Sequence, residues 1–164
     1  MRSKIAIYPG SFDPPTYGHM NIVERGLGIF QKIIIAVARN TSKKSLFTPE
    51  ERVELLRKLF KGRRDVEVDY FEGLLVGYAL KKKSNVILRG LRTVADYEYE
   101  LQMSFANKNL SPNIETIFMM TESRYSHISS TIIKEIAFFG GSVKNMVHPL
   151  VEKTIKAKLK ERAK

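Results

Sequence analysis

The sequence predicts an α/β fold in which helices cover both faces of a five-stranded parallel sheet. Short apolar runs alternate with segments of helical periodicity along the 164 residues, which is the pattern of a buried parallel sheet. The run Ile33 to Val37 is unbroken and predicts a central strand, whereas alternation from Val66 to Tyr70 predicts an edge strand. Right-handed crossovers then give a Rossmann-like, doubly wound sheet of order 3-2-1-4-5. The predicted strands are residues 4–8, 32–38, 66–71, 85–88 and 114–120.

The helices are predicted from apolar residues at helical spacing and from start and stop signals. The run Thr48-Pro49-Glu50-Glu51 combines an N-cap, a proline at the first helical position and a capping-box glutamate, and predicts a helix over residues 48–60. Gly140-Gly141 is a suitable stop for a helix through Ile132. Further helices are predicted around Met20, Val23, Leu27 and Phe30, around Val94, Tyr97, Leu101 and Phe105, and from near Pro149.

Composition indicates one globular domain over residues 1–164. Hydrophobic residues make up 43% and charged residues 27% of the chain, which are ordinary globular values. No apolar run approaches the roughly 20 residues of a membrane helix, and the first residues resemble no signal peptide. The absence of cysteine excludes disulfides and thiolate chemistry and is compatible with a reducing compartment. We therefore expect a cytoplasmic protein with no membrane partner.

The charge balance indicates a phosphate-bearing partner. The chain has 28 Lys and Arg against 17 Asp and Glu, a formal net charge of +11, and such an excess attracts phosphates through its long-range field. Part of the excess lies in residues 153–164, where basic residues alternate with Ile155 and Leu159. A solvated helix face explains this stretch better than a nucleic-acid site, which stays an alternative.

The first polar motif follows the first predicted strand. Residues 9–19, Pro-Gly-Ser-Phe-Asp-Pro-Pro-Thr-Tyr-Gly-His, lead directly into a helix. Gly10 and Gly18 would let the backbone approach a ligand, Ser11 offers a hydroxyl, and His19 lies in the first helical turn, where free N–H groups favour an anion. The spacing matches neither the three-glycine dinucleotide fingerprint nor a P-loop. Taken alone, the motif is equally compatible with a simple turn and a helix cap.

Additional polar groups favour a polyphosphate site. Ser126, Ser129, Ser130 and Thr131 follow the last strand and open the next helix, so two hydroxyl-bearing helix N-termini are expected at strand ends. Cations are expected at the same edge of the sheet. Arg89 and Arg92 flank Gly90-Leu91 after the fourth strand, and Lys43 and Lys44 lie in the loop after the second strand.

The remaining residues favour transfer of a phosphoryl or nucleotidyl group. No Ser-His-Asp set, paired carboxylates or metal-ligand spacing is evident. Such transfers need no protein nucleophile, because positioning and charge stabilisation supply most of the catalysis. Asp96 and Glu100 share a helix face by their i, i+4 spacing, and they could bind a ribose or an adenine edge or lie on a solvated face.

These motifs resemble those of the bacterial phosphopantetheine adenylyltransferases. The resemblance covers nearly the whole chain, and Gly18-His19 alone indicates only the wider nucleotidyltransferase superfamily, which includes nicotinate-mononucleotide and cytidylyl enzymes. The segments that carry it are residues 8–19, 42–44, 47–52, 89–92, 96–100 and 125–131. It implies transfer of AMP from ATP to 4′-phosphopantetheine with Mg²⁺ present, giving dephospho-CoA and pyrophosphate, in a homohexamer that coenzyme A could inhibit.

The same resemblance implies the site residues. His19 would stabilise the transition state of a direct attack by the acceptor phosphate on the ATP α-phosphorus. Ser11, Lys43, Leu75 and Arg89 take the positions of the acceptor site. The ATP positions are Ser11, Phe12, His19, Gly90, Leu91, Arg92, Glu100, Tyr125, Ser126, His127, Ile128, Ser129, Ser130 and Thr131. No side chain is expected to bind the metal, which ATP would carry.

Two residues depart from the family pattern, and two alternatives stay open. Ser11 stands where threonine is expected and keeps the hydroxyl while losing a methyl group. His127 stands where phenylalanine is more usual.

Nicotinate-mononucleotide adenylylation is one alternative function, because it shares the Gly18-His19 element. A nucleic-acid-binding module is the other, and it would follow from the net charge of +11.

Overall fold

A computed structural model describes residues 5–39 and 45–162 of the chain. Five strands alternate with six α-helices, and a 3-10 turn, Ser123–Tyr125, precedes the fifth helix. The strands are β1 (Ile5–Gly10), β2 (Lys32–Ala38), β3 (Val66–Phe71), β4 (Val86–Leu91) and β5 (Glu115–Met120). The helices are α1 (Tyr17–Leu27), α2 (Pro49–Leu59), α3 (Leu75–Lys81), α4 (Val94–Leu110), α5 (Ser130–Phe138) and α6 (Pro149–Arg162).

The five strands form one parallel sheet of order β3-β2-β1-β4-β5, which confirms the predicted topology. Alternate residues along β1 point to opposite faces, so Ala6 and Tyr8 join a core with α1 and α2, whereas Ile7 joins a core with α3. A third cluster packs α5 and α6 against Leu46 and Phe47, which precede α2, and against Leu55 of α2. Since β1 and β4 are neighbours across the reversal of strand order, a crevice is expected beyond their carboxyl ends.

Two strands extend further than the sequence predicted. β4 was expected to end at residue 88 with Arg89 in the following loop, but Arg89, Gly90 and Leu91 pair with Phe118, Met119 and Met120 of β5. β1 likewise continues to Gly10, which lies opposite Val37. Ladder pairing overrides the weak strand propensity of glycine, and it places Arg89 in the ladder between β4 and β5.

One helix was not predicted, and one helix face that was predicted to be buried is exposed. α3 was not predicted, because it contains Gly77 and begins without a side-chain cap. α4 was predicted with an apolar stripe through Val94, Tyr97 and Phe105, but these side chains are exposed. Of the 17 residues of α4, all of which the structure describes, only Asn107 is buried. Among the described residues no helix has both the length and the apolar character needed to span a bilayer.

Candidate functional site

A cavity of about 460 Å³ lies where the carboxyl ends of β1 and β4 meet the N-termini of α1 and α5. Neither helix, both of them fully described, has an acidic residue in its first turn. The free N–H groups and the helix dipole therefore give this wall a positive potential. Of the residues predicted for the site, the wall includes Ser11, Phe12, His19, Arg89, Gly90, Arg92, Glu100, Ile128, Ser129, Ser130 and Thr131.

The other predicted residues lie outside this wall. Leu91 is buried at the end of β4, and Leu75 packs against the core cluster on the α3 face of the sheet. Tyr125 stacks on Tyr17 at the 3-10 turn, with ring centroids 6.2 Å apart. Ser126 and His127 follow it without lining the cavity. Lys43 and Lys44 fall outside the described residues.

His19 is held by the start of its own helix. Thr16 is the N-cap of α1, and its side-chain oxygen accepts a hydrogen bond from the His19 N–H at 3.3 Å. In return, the Thr16 N–H donates to His19 Nδ1 at 3.0 Å, so the imidazole takes the place of the glutamate of a capping box. Because Nδ1 accepts this bond, the proton of the neutral ring resides on Nε2.

Phe12 supports the other side of the imidazole. Its ring meets that of His19 edge-on, with centroids 4.9 Å apart, and is almost fully buried. Its backbone has a φ of 49°, which is unfavourable for a bulky residue. A β-carbon on Gly10 would lie 2.9 Å from the Phe12 ring. Gly10 is thus required by the packing of Phe12, and through it by the placement of His19, and it also lines the cavity, where the sequence predicted close approach of a ligand.

His19 is a neutral hydrogen-bond donor at physiological pH. Burial of the ring, followed by the charges of Arg92 and Arg89, lowers its pKa to about 4. A neutral imidazole keeps Nδ1 as an acceptor from Thr16 and leaves Nε2–H to donate to a ligand oxygen. The site therefore favours stabilisation of negative charge by His19, not proton abstraction.

The lowered pKa of His19 makes stability depend on pH. Between pH 6.5 and 4 the unfolded chain binds a proton at this position that the folded chain does not, so the free energy of unfolding decreases as pH falls. His19→Gln is a matched control, because glutamine preserves the capping box without titrating. Urea unfolding at pH 7 and pH 5 should show the unliganded wild type losing about 2 kcal/mol more than the variant. Equal losses would contradict the assignment.

Two arginine–carboxylate pairs form the opposite wall. The Arg89 Nε donates to Glu100 at 2.6 Å, its Nη2 donates to the same carboxylate, and its Nη1 donates to the Pro9 carbonyl at 2.8 Å. Arg92 binds both oxygens of Asp96, at 3.0 and 3.1 Å, and donates to the Ile128 carbonyl at 3.1 Å. Asp96 and Glu100, considered above as ribose or adenine ligands, hold the two guanidiniums in this structure.

The cavity includes residues that the sequence analysis did not select. Thr16 could have been identified from its position three residues before His19, which is the spacing of a capping box. Tyr8, Tyr99 and Thr121 also line the wall, but no local pattern distinguishes them from other polar or aromatic residues. Within residues 5–39 and 45–162 no three His, Asp or Glu side chains gather closely enough to hold a metal ion.

Comparisons with known proteins identify close relatives. A family model described as cytidylyltransferase-like matches residues 7–136. The phosphopantetheine adenylyltransferases of Caldanaerobacter subterraneus subsp. tengcongensis and Geotalea daltonii are each 50% identical over 158 residues, covering 96% of this chain and 99% and 98% of theirs. The enzyme of that name from Geobacter sulfurreducens is 46% identical, with 96% of both chains covered.

A solved structure supports the same fold. It is a candidate nicotinate-nucleotide adenylyltransferase from Vibrio parahaemolyticus, with a TM-score of 0.68 and 18% sequence identity. The match covers 96% of this chain and 94% of that one. At this level of identity the likeness extends to the fold alone.

Proposed function

Since the chain belongs to the phosphopantetheine adenylyltransferase family, within the nucleotidyltransferase superfamily, we propose that it transfers AMP from ATP to 4′-phosphopantetheine. The products are dephospho-CoA and pyrophosphate, so the reaction serves coenzyme A biosynthesis. The observation that carries this proposal is the convergence of two helix N-termini, a neutral His19 and two arginines on one cavity. This arrangement suits a polyphosphate that reacts without a protein nucleophile.

ATP is proposed to bind with its phosphates at the N-termini of α1 and α5. His19, Arg92 and the hydroxyl-bearing residues of α5 line the wall there, and their charge and donor groups match phosphate oxygens. Ser11, Phe12, Gly90, Ile128, Ser129, Ser130, Thr131 and Glu100 complete the ATP positions within the wall, while Leu91, Tyr125, Ser126 and His127 are proposed from the family alone. Mg²⁺ belongs to the substrate as Mg·ATP, which agrees with carboxylates that are engaged by arginines.

The acceptor is proposed to bind beside the Ser11 hydroxyl and the Arg89 guanidinium, and Lys43 and Leu75 are proposed as further contacts from the family alone. Arg89 is fixed by Glu100 and by the Pro9 carbonyl, so its charge is held at the boundary of β1 and β4. A fixed cation loses little conformational entropy when a phosphate binds. The acceptor phosphate can therefore be presented to ATP across the point where strand order reverses.

The chemical step proposed is a direct in-line displacement. An oxygen of the acceptor phosphate forms a bond to the ATP α-phosphorus, while the bond from that phosphorus to the pyrophosphate oxygen breaks. Negative charge grows on the equatorial oxygens, and His19 Nε2–H is the donor proposed to stabilise it. Mg²⁺ supplies neutralisation of the phosphate charges. No covalent enzyme intermediate is formed.

The test is pyrophosphate release from Mg·ATP with either 4′-phosphopantetheine or nicotinate mononucleotide as acceptor, with the product identified by mass. Formation of dephospho-CoA, without product from nicotinate mononucleotide, is the expected result. Release with nicotinate mononucleotide alone would support the second acceptor. No release with either, together with salt-sensitive binding of duplex DNA or RNA, would favour the nucleic-acid alternative.

We propose further that the protein forms a homohexamer in which the exposed apolar residues of α4 are buried. Val94 and Phe105, which lie on one face of α4, are 76% and 62% exposed in the chain, and Met120 of the edge strand β5 is 56% exposed. Large exposed apolar side chains of this kind favour an association surface. Light scattering after size exclusion should give six times 18.8 kDa, and Phe105→Glu should lower this mass. A monomeric wild type would contradict the proposal.

Coenzyme A is proposed as a feedback ligand of the same cavity, because it contains the dephospho-CoA product. Competition with ATP in a binding assay tests this, and unchanged ATP binding at saturating coenzyme A would exclude it.

A further inference from the structure

Two buried charged side chains lie outside the groups proposed to react. They are Asp13, in the loop of residues 11–14, and Arg52 of α2. Asp13 is 3% and Arg52 is 2% exposed, and neither takes part in the chemistry proposed above. Burying charged groups is costly unless each is paired and hydrogen-bonded. The positions of these two side chains therefore need a structural or functional explanation.

Asp13 joins the loop of residues 11–14 to the segment of residues 46–48. Its Oδ2 accepts from the Leu46 N–H at 2.9 Å and its Oδ1 from the Phe47 N–H at 2.8 Å. Lys134 of α5 donates to Oδ2 at 3.0 Å. All three bonds link groups more than 30 positions apart in the chain, so one carboxylate fixes three separate elements.

Arg52 makes the reciprocal connection. It lies in the first turns of α2, directly after the segment of residues 46–48, and its Nη1 donates to the Ser11 carbonyl at 2.8 Å. Its Nε donates to the Thr48 carbonyl at 3.2 Å. Asp13 thus binds the backbone of Leu46 and Phe47, and Arg52 binds the backbone of Ser11, so the peptide of Ser11 is held directly.

We propose that Asp13 and Arg52 are positioning residues that align Ser11 with the acceptor phosphate. This inference rests on the proposed function, in which Ser11 binds the acceptor. In the proposed function Ser11 is one of four acceptor positions, whereas it is one of a much larger set of ATP positions. Misplacing Ser11 should therefore affect the acceptor more than ATP.

Asp13→Asn tests this role at nearly constant volume. One carboxylate oxygen becomes an NH₂ group, which cannot accept from a backbone N–H or from Lys134. We expect kcat/KM for 4′-phosphopantetheine to fall about 10- to 100-fold, while the ATP dissociation constant, measured by calorimetry, changes by less than about threefold. Asp65→Asn, which alters an exposed carboxylate beside Arg63, is the matched control and should leave both values near wild type.

Arg52→Lys decides the question if Asp13→Asn does not fold. Lysine keeps the buried charge but cannot bind the Ser11 and Thr48 carbonyls together, as the forked guanidinium does. It should lower kcat/KM for 4′-phosphopantetheine by a smaller factor than Asp13→Asn. Thermal melts establish that each variant is folded. The proposal would be overturned if ATP affinity fell by the same factor as kcat/KM for 4′-phosphopantetheine. It would also be overturned if a folded variant kept the wild-type kcat/KM for 4′-phosphopantetheine.

Hydrogen exchange separates this inference from the proposed function. The Leu46 and Phe47 amides are buried and bonded to Asp13, so they should exchange more rapidly in Asp13→Asn than in the wild type. This readout needs no substrate. A wild type inactive on 4′-phosphopantetheine would refute the proposed function. Unchanged exchange of both amides in Asp13→Asn would instead refute the role of Asp13 in holding the two segments together.

Discussion

His19→Ala is expected to lower the rate of dephospho-CoA formation by about 10²–10³-fold, with a much smaller change in ATP affinity. The reason is the hydrogen bond that Nδ1 accepts from the Thr16 N–H, which leaves Nε2–H as the donor in the cavity. Burial and two nearby arginines keep the ring neutral. A donor that acts mainly on the charge of the transition state changes kcat more than ground-state binding.

The variant also loses half of the capping box of α1, at a cost of about 1 kcal/mol, so rates should be compared at a temperature where both proteins are folded. His148→Asn is the control. His148 Nδ1 accepts from the Leu150 N–H at 3.1 Å at the start of α6, and asparagine can retain that cap. Turnover of His19→Ala within a few-fold of wild type would remove His19 from the mechanism.

Arg89→Ala should have the second-largest effect, on both stability and activity. The Glu100 carboxylate, whose side chain is only 12% exposed, would be left without its guanidinium. We expect the free energy of unfolding to decrease by about 2–3 kcal/mol, below the cost for a fully buried pair because Arg89 is partly exposed. The KM for 4′-phosphopantetheine should rise at least about tenfold, since a fixed cation for the acceptor phosphate is lost.

A double variant separates the two effects of Arg89. Arg89→Ala with Glu100→Gln removes the unpaired charge, so urea unfolding should show much of the stability restored while the acceptor KM stays high. Arg63→Ala is the control for loss of an ion pair, because its pairs with Glu24 and Asp65 are exposed and should contribute less than about 1 kcal/mol. Recovery of both stability and KM in the double variant would show that Arg89 acts only through Glu100.

The sequence by itself determined the sheet and the main polar groups of the cavity. Unbroken and alternating apolar runs predicted the central and edge strands, and helix start signals placed His19 and Ser129 at helix N-termini. These signals are local, because periodicity and capping depend on residues within a turn or two of one another. The strand order followed from the handedness of crossovers and the usual order of such sheets, and the structure confirms it.

The tertiary structure decided how the polar groups are paired. Arg89 lies in β4 because β5 extends the ladder, and Glu100 binds Arg89 from the following helix. Asp13 and Arg52 meet the backbone of segments 33 to 41 positions away. Such contacts leave no periodic trace, since they depend on where the crossovers bring distant segments together. The sequence thus predicted many of the groups that line the cavity, although not Tyr8, Thr16, Tyr99 or Thr121, and tertiary packing established which groups are held by partners.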